Sequence, residues 1–558
     1  MNDAAVVRAL AVSVLVLGMA AVLIAQFPGG SAPFAQTDLG WLDRGGMPID
    51  IRFSIALDGL SLWLFGLTAL LMVVAVLVGW EAIEQQASLY YRLLLILETG
   101  MLGVFVARDI ILFYVFFEFT LIPLFFLIGI WGSEQRRYAA VKFFLFTLAG
   151  SVLTFLGLLS IVLWDYYHPV GDPAAWKMTF SIPQLTDTLS ARPMDPVVQI
   201  WIFLALFAGF AIKVPLFPLH TWLPLAHVQA PTAGSVILAG VLLKVGTYGF
   251  ARFNLPMLPD AAALLMPWLL WISVAGIIYG ALVALAQSDI KRLIAYSSVS
   301  HMGFCMLGLF AANRLSTQGG VLQMVNHGLS TGGLFAVVGM LYERYHTREI
   351  GELGGLARRL PVLAFFTMVL TLSSIALPGL NGFAGEFLLL LGVFQRGWAD
   401  TPAADWQLRT IAVLSVAGVV LGAWYMLWMY QRVFFGPVRE PKSSPLPLGE
   451  GQGEGSVQDL SLREIACLSP LLVFILWIGL QPRFFLERMA PTLDDLTAPV
   501  RQAVDRTLVP TLRVGTHDRP LRGHEAAIHP TECKLKNANW KLQIDPLVPR
   551  PALLAPTL

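Results

Sequence analysis

The sequence predicts an all-α polytopic membrane protein of about 13 to 14 transmembrane helices, arranged as inverted repeats with two broken helices. Hydrophobic residues occupy 56% of the 558 positions and charged residues only 13%, a composition that excludes an ordinary soluble globule. Long apolar runs recur along the chain, and ionisable residues lie inside several of them, beside prolines and glycines. These observations together indicate a transport protein rather than a simple membrane anchor.

About 13 apolar runs approach the length that an α-helix needs to cross the hydrocarbon layer. In chain order they cover residues 9–27, 59–80, 89–107, 110–131, 142–164, 199–227, 232–252, 264–286, 293–311, 320–342, 361–396, 409–430 and 464–480. The runs 199–227 and 361–396 are too long for one straight helix and contain proline or glycine, so we expect both to be broken. The first run has no convincing small-residue cleavage site after it, and we expect it to be a retained span.

The runs and the segments between them divide the chain into five regions. We expect an N-terminal span and external loop over 1–56, a transporting core over 57–436, a flexible linker over 437–461, the last span over 462–490 and a disordered polar tail over 491–558. The linker contains KSSPLPLGEGQGEGS, and the tail is rich in arginine and proline.

Lysine and arginine concentrate in the loops that follow even-numbered spans. These loops read GSEQRRYAAVK, QSDIKR, ERYHTREIGELGGLARR and QRVFFGPVREPK, after the fourth, eighth, tenth and twelfth spans. Because basic loops stay preferentially in the cytoplasm, this parity predicts a cytoplasmic N-terminus.

The first broken run carries a lysine at membrane depth. In AIKVPLFPLH, Lys213 precedes Pro215 and Pro218, which remove backbone donors and force the helix to open. An unpaired ammonium at mid-bilayer costs at least about 2.5 to 3.5 kcal/mol, so we expect Lys213 to face the protein interior and to have a partner. The alternative is a proline kink with a lysine that snorkels to the interface.

The second broken run repeats this pattern. In LPGLNGFAGEFLLLLG, Pro378 and Gly379 lead into Glu386. Two discontinuous helices in separate halves, each with an ionisable residue, are typical of transporters built from inverted repeats.

Four further ionisable residues lie deep in apolar runs: Glu118, Lys244, His301 and His327. A carboxylate beside a lysine favours the charged lysine, so a separable pair is a candidate switch of its protonation. Histidines titrate near neutral pH and suit proton relay. Each histidine taken singly is typical of a hydrogen-bonded structural residue, whereas the set favours a relay.

Secondary candidates are His220, His227 and Glu98. The two histidines are seven residues apart and share a face if HTWLPLAH is helical. They either line an intake route or hydrogen-bond the broken helix. Asp58, at the start of the second span, is also a good N-cap.

The chain offers no metal or redox site by its sequence. Cys305, Cys467 and Cys533 lack paired spacing, and the formal net charge of +1 argues against a nucleic-acid partner.

Several long motifs resemble one known family. FYVFFEFTLIPLFFLIGIWG, IKVPLFPLHTWLPLAHVQAPTAGSVILAGVLLKVGTYG, QSDIKRLIAYSSVSHMGF and LPGLNGFAGEF are similar, in this order, to the proton-conducting membrane subunits of respiratory complex I, which are related to multisubunit cation/proton antiporters. The similarity runs from about 57 to 480 and is closest to the subunit M branch, the equivalent of mitochondrial chain 4. We expect no long lateral C-terminal helix of the kind found in subunit L.

The resemblance implies a role in NADH:quinone oxidoreductase, in a bacterial inner membrane or an equivalent energy-transducing membrane. It implies no cofactor in this chain, with NADH, FMN, iron–sulfur clusters and quinone bound by partner subunits. The implied partners are the lipid bilayer and the other membrane subunits, including neighbouring antiporter-like subunits. It also implies roles for six residues: Glu118 pairs with Lys213, Lys244, His301 and His327 form a central axis, and Glu386 is the ionisable residue of the second broken helix.

Two alternatives stay open at the level of sequence. One is a subunit of a cation/proton antiporter or membrane-bound hydrogenase, and the other is a non-conducting scaffold whose buried ions are structural pairs. The chain also departs from the family at Leu225, where relatives usually have the aspartate of WLPDAH.

Overall fold

The computed structural model describes residues 2–41, 49–169, 177–399, 405–441 and 457–513. Within these ranges, twelve helical segments are long and apolar enough to cross a membrane. A further crossing is supplied by two shorter helices, 361–374 and 381–398, which together form a broken span. The expected all-α polytopic fold is confirmed, and the expected number of spans is close.

Among the described residues, the first half of the chain contains twelve α-helices. They are α1 (Asn2–Gln26), α2 (Leu62–Ala82), α3 (Ala87–Val106), α4 (Ile110–Phe119), α5 (Leu121–Trp131), α6 (Arg136–Tyr167), α7 (Ile182–Ala191), α8 (Pro196–Lys213), α9 (Trp222–Gln229), α10 (Thr232–Ile237), α11 (Leu243–Gly249) and α12 (Leu255–Met257). Two π-helical turns, Leu238–Leu242 and Phe250–Asn254, join the last three into one membrane segment.

The described part of the second half continues with eight α-helices. They are α13 (Pro259–Leu285), α14 (Ile290–Phe310), α15 (Arg314–Tyr345), α16 (Pro361–Ser374), α17 (Asn381–Trp398), α18 (Trp406–Phe434), α19 (Leu462–Leu480) and α20 (Pro482–Arg513). Short 3₁₀ turns, Ile350–Glu352 and Leu356–Arg358, lie between α15 and α16.

Four short strands in the described ranges lie outside the helices. Strands β1 (Phe34–Gly40) and β3 (Arg52–Leu57) pair antiparallel, with Thr37 opposite Ile55, and β2 (Ile49–Asp50) pairs with β4 (Met178–Thr179). We call the end of the bundle that carries β1 and β3 the hairpin face. The opposite end carries the basic loops and is called the basic face.

The degree of burial shows which helices form the centre. The segment from α10 to α12 and helix α15 are buried along their most apolar stretches, and α14 is 94% buried there. Helix α1, by contrast, is only 17% buried and presents most of its surface outward. The three central segments are also the ones that carry Lys244, His301 and His327.

Both predicted helix breaks are present. Helix α8 ends at Lys213, and the chain turns through 214–221 before α9 begins. The indole of Trp222 donates to the carbonyl of Ile212 at 2.9 Å, which satisfies one acceptor that the break would otherwise leave free. The second break, between α16 and α17, turns through Gly379 with φ +92°, a conformation that side chains disfavour.

Helix α20 corrects one expectation. The tail from 491 was expected to be disordered, yet the structure is helical over Pro482–Arg513. The apolar residues of this helix are sparse, so a hydropathy criterion misses them, but they recur at helical spacing and are buried: Phe485, Met489, Leu493, Val500, Ala503 and Val504. Residues 514–558 of the expected tail, and 442–456 of the expected linker, lie outside the described residues.

A buried ion pair anchors the hairpin face. Asp58 Oδ2 lies 2.6 Å from the Arg252 guanidinium, and Asp58 Oδ1 accepts from the backbone of Leu60 and Ser61. Burial opposes ionisation of Asp58, but the charge of Arg252 and these hydrogen bonds hold its pKa below the ordinary value. Asp58 thus folds the turn before α2 rather than serving as its N-cap, which is Ser61.

We expect Arg252→Met to destabilise the protein by about 3 to 5 kcal/mol, because the substitution leaves the Asp58 carboxylate buried without its partner. Arg314→Met is the matched control, since Arg314 is 63% exposed and its pairing with Asp494 is worth about 0 to 1 kcal/mol. The midpoint temperature of thermal inactivation, measured on each purified variant in detergent, compares their stabilities. Equal midpoints for the two variants would contradict the assigned role of the Asp58 pair.

Candidate functional site

The first polar cluster lies at the break after α8. The Lys213 ammonium is buried, donates to Thr120 Oγ1 at 3.4 Å and lies 4.5 Å from the centre of the Phe117 ring. Thr120 occupies the junction between α4 and α5, where the helical hydrogen bonding is also interrupted. A hydroxyl and an aromatic face therefore stabilise the cation where water is scarce.

Glu118 lies near Lys213 without contacting it. In the described structure no ion pair within 4.0 Å joins the two side chains, and Glu118 Oε1 is buried with no hydrogen-bond partner. The two charges nonetheless interact electrostatically across the cluster. Glu118 and Lys213 therefore form a separated pair, and Oε1 of the Glu118 carboxylate is an unsatisfied acceptor.

The second polar cluster begins at Lys244, between the two π-helical turns. Turns of this kind widen a helix locally and are frequent at functional sites. The Lys244 ammonium is fully buried, donates to the carbonyl of Ala239 and lies 2.6 Å from His327 Nδ1. If Nδ1 accepts from Lys244, the hydrogen of a neutral His327 is carried on Nε2.

His301 continues the cluster toward the second broken helix. Its ring centre is 5.7 Å from that of His327, and its Nδ1 lies 3.2 Å from Glu386 Oε1. On its other side, Nε2 of His301 is 3.3 Å from the hydroxyl of Ser374, the last residue of α16. Side chains on both sides of the second break therefore hold this histidine.

Buried amides extend the cluster beyond Glu386. Gln323 donates to Glu386 Oε1 at 2.9 Å, and Asn326 donates to Gln323 Oε1 at 3.1 Å. Asn326 also donates to the carbonyl of Asn381 at 2.7 Å, and Asn381 accepts from Ser373 at 2.5 Å. Hydrogen bonds thus join α15 to α17, and α17 to α16 across the break.

The structure brings the six primary candidates into two clusters rather than one. Lys244, His327, His301 and Glu386 form a connected row, which we call the central row. Lys213 and Glu118 form the separate switch cluster. Where α8 passes α11, Gly246 lies against Phe210 and Val214.

The secondary candidates have different surroundings. His220 lies in the turn before α9, so the helical face that it would share with His227 does not form. The break is longer than the sequence suggested because the chain does not resume helical hydrogen bonding until Trp222. His227 is fully buried, stacks on Phe335 at 4.5 Å and has no hydrogen-bond partner on either ring nitrogen.

Glu98 lies in a third location, between α1 and α3. It is buried, and its Oε2 accepts from Ser13 at 3.0 Å while Oε1 has no hydrogen-bond partner. Its partner Ser13 belongs to neither cluster.

Sequence reasoning missed Lys291, which it treated only as a basic loop residue. Lys291 lies in the first turn of α14, is buried and donates to the carbonyl of Ala230 at 2.6 Å. It lines a crevice of about 500 Å³ at the basic face, together with Glu81, Glu343 and Arg348. His227 lies within electrostatic range of both Lys291 and Lys244.

The supporting polar residues were also missed: Thr120, Gln323, Asn326, Ser374 and Asn381. Each is an uncharged polar residue inside an apolar run. That is the signal that would have found them, because buried amides and hydroxyls in a membrane need partners. Their partners come from distant parts of the chain, which a single sequence does not reveal.

Comparison with known proteins identifies the family. The transmembrane family of NADH:quinone oxidoreductase and Mrp antiporter subunits matches residues 107–405. The chain is 40% identical over 490 residues to NADH-quinone oxidoreductase subunit M of Rhodobacter capsulatus, covering 88% of this chain and 89% of the relative. It is also 40% identical to NADH-ubiquinone oxidoreductase chain 4 of Arabidopsis thaliana, covering 85% of this chain and 88% of the relative.

Solved structures with a similar fold point to the same family. A chain of respiratory complex I from Thermus thermophilus superposes with a TM-score of 0.74 and 32% identity, covering 90% of this chain and 100% of that chain. A chain of the Mrp complex from Dietzia has a TM-score of 0.72 at 20% identity, covering 90% of this chain and 95% of that one, which shows a shared fold alone. From the match over more than half its length and from these relatives, the chain belongs to the NADH:quinone oxidoreductase/Mrp antiporter family of membrane proteins.

Proposed function

We propose that this chain is a proton-translocating membrane subunit of NADH:quinone oxidoreductase, which couples electron transfer in other subunits to proton movement through its own buried residues. The observation that carries the proposal is the central row, in which an amine, two imidazoles and a carboxylate follow one another inside the membrane bundle. The named relatives are subunits of that oxidoreductase, which favours it over an antiporter.

The redox chemistry belongs to partners in this proposal. Among the described residues, no group of three or more His, Cys, Asp or Glu side chains is arranged to hold a metal ion. NADH, FMN, iron–sulfur clusters and quinone would be bound by other subunits, and this chain would contact its membrane neighbours, including antiporter-like ones. Its place is an energy-transducing membrane, with the N-terminus and the basic face in the cytoplasm.

Protons would enter from the crevice at the basic face. The crevice reaches Lys291. His227 interacts electrostatically with both Lys291 and Lys244, so it can connect the crevice to the central row. His227 has two ring nitrogens without hydrogen-bond partners, so it can accept a proton on one and release it from the other. The crevice also carries Glu81 and Glu343, which favour a positive charge at its mouth.

Transfer along the central row uses the two nitrogens of each imidazole. A proton passes from Lys244 to Nδ1 of His327, and the hydrogen on Nε2 of His327 leaves toward His301. Because no hydrogen bond joins the two rings in the described structure, this step requires a ring rotation or a bridging water. His301 then delivers a proton from Nδ1 to Glu386 across 3.2 Å.

The switch cluster supplies the control. Two opposite charges attract by about 4 kcal/mol at 4 Å and about 2 kcal/mol at 8 Å with an effective dielectric of 20. Moving Glu118 toward or away from Lys213 therefore changes the energy of a charged Lys213 by about 2 kcal/mol. Both residues adjoin helix interruptions, at Thr120 and at the end of α8, where such a movement breaks few backbone hydrogen bonds.

We expect Lys213→Ala to abolish NADH-driven proton pumping in sealed vesicles while the assembled complex is retained, because the switch loses its charge. Lys142→Ala is the matched control, since Lys142 lies on the peripheral helix α6 and belongs to neither cluster. Pumping by the assembled Lys213→Ala variant at the level of Lys142→Ala would contradict the role given to Lys213.

We expect His301→Gln to block pumping by interrupting the central row between His327 and Glu386. The exposed His168 gives the control, His168→Gln. The measurement is the number of protons moved per NADH oxidised, with assembly checked by co-purification of flavin and iron–sulfur subunits. An unchanged ratio in His301→Gln would favour a non-conducting scaffold, and co-purification with antiporter subunits instead would favour an antiporter.

We expect Gln323→Met to slow pumping less than His301→Gln does, because it removes only a hydrogen bond that orients Glu386. Such a bond to a charged group is worth about 1.5 to 3 kcal/mol, or roughly tenfold or more in rate if it is lost in the limiting step. Gln407→Met, at the exposed start of α18, is the control. Rates equal to those of the control would show that Gln323 does not position Glu386.

A further inference from the structure

A second cavity lies on the outer side of the bundle, away from both clusters. It encloses about 250 Å³ between α1, α2, α15, α19 and the start of α20. All the side chains that line it are apolar, among them Leu17, Leu329, Phe474 and Phe484. The indole N–H of Trp63 is used within the protein, because it donates to the carbonyl of Phe485.

This cavity opens toward the membrane rather than toward water. Ala21 and Ala25 of the outward-facing helix α1 form one side of its mouth and are exposed, and Trp477 of α19 on the other side is 37% exposed. Apolar cavities of about 150 Å³ stay dry and take up small hydrocarbons, and the apolar lining here likewise offers water few polar partners. The fluid at its mouth is hydrocarbon, which makes a lipid chain the fitting occupant.

A cation lies beside the Phe484 ring, at the end of the cavity nearest the hairpin face. The Arg488 guanidinium is 3.9 Å from the centre of the Phe484 ring, and one of its terminal nitrogens donates to the carbonyl of Phe484. The Arg488 side chain is half-buried rather than enclosed. Guanidinium groups bind phosphate with paired hydrogen bonds, so this cation is suited to an anionic headgroup.

The depth of the cavity agrees with such an occupant. Trp63 lies in the first turn of α2 and Trp477 in the last turn of α19, so both mark the level at which these helices leave the membrane. Phe484 and Arg488 follow on α20, one turn apart. A phosphate at Arg488 would therefore lie at interfacial depth, with the cavity directly toward the bilayer centre.

We propose that this cavity is a binding site for one membrane phospholipid, with an acyl chain in the cavity and the phosphate at Arg488. The proposal does not depend on the proton route. A helix of a neighbouring subunit is about 10 Å across and cannot enter a space of this volume, although one of its side chains can.

The test uses the assembled complex in vesicles of phosphatidylethanolamine and phosphatidylglycerol that contain a phosphatidylglycerol with a photoreactive group in its acyl chain. After illumination, mass spectrometry locates the labelled peptides. We expect labels on the segments 17–25 and 474–485. Ala21→Phe should lower this labelling roughly tenfold by filling the mouth, which corresponds to about 1.4 kcal/mol. Ala11→Phe, at another exposed position of α1 outside the cavity, should leave it unchanged.

A second pair of variants tests the contact between the phosphate and Arg488. We expect Arg488→Gln to reduce labelling by about tenfold and Arg483→Gln, an exposed arginine of the same helix, to have no effect. Equal labelling of Ala21→Phe and Ala11→Phe would overturn the site. It would also be overturned if a photoreactive amino acid at position 21 joined to another subunit instead of to lipid. Equal labelling of Arg488→Gln and Arg483→Gln would overturn the phosphate contact.

Discussion

The cost of placing charge in hydrocarbon is the constraint on which the rest of this structure depends. A charged side chain at membrane depth is tolerated only where the protein supplies what water would otherwise supply. Here Lys244 receives a carbonyl and an imidazole, Lys213 receives a hydroxyl and an aromatic face, and Glu386 receives an amide and an imidazole. All of these partners except the Ala239 carbonyl belong to a different helix from the charge that they contact. Compensation of the charges therefore requires the helices to be packed in one particular arrangement.

The helix interruptions follow from the same constraint. An unbroken α-helix uses all of its backbone groups internally and has none to offer to a buried ion. The break after Lys213, the break before Asn381 and the π-helical turns on both sides of Lys244 all occur beside an ionisable residue. The carbonyl of Ala239, which lies within such a turn, accepts from Lys244. Irregular backbone thus lies where the chemistry requires polar partners, and regular helix surrounds it.

The two faces of the bundle are closed by different means. At the hairpin face, the Asp58 pair with Arg252 and the amphipathic helix α20 hold the ends of several helices together. At the basic face, Arg344 binds Glu464 through two hydrogen bonds at 2.7 and 2.8 Å and so ties α15 to α19. A polar crevice stays open there beside Lys291. This asymmetry agrees with the proposed route, in which protons enter at the basic face and the switch cluster and the central row control their onward passage.

The sequence by itself determined the membrane class, the two broken helices and six charged or titratable candidate positions in apolar runs, because hydropathy and proline effects act over a single span. The motif order also determined the family. Only the tertiary structure decided that Lys244, His327, His301 and Glu386 form one row while Lys213 and Glu118 stand apart, since that depends on which helix faces which. It also revealed the buried polar residues Gln323, Asn326 and Lys291, whose partners are distant in sequence. Helix α20 emerged in the same way, because its sparse apolar residues form a continuous face only when the chain is helical and packed. The physical reason is that hydrophobicity is a property of each segment alone, whereas satisfaction of a buried polar group is a property of the whole packed bundle.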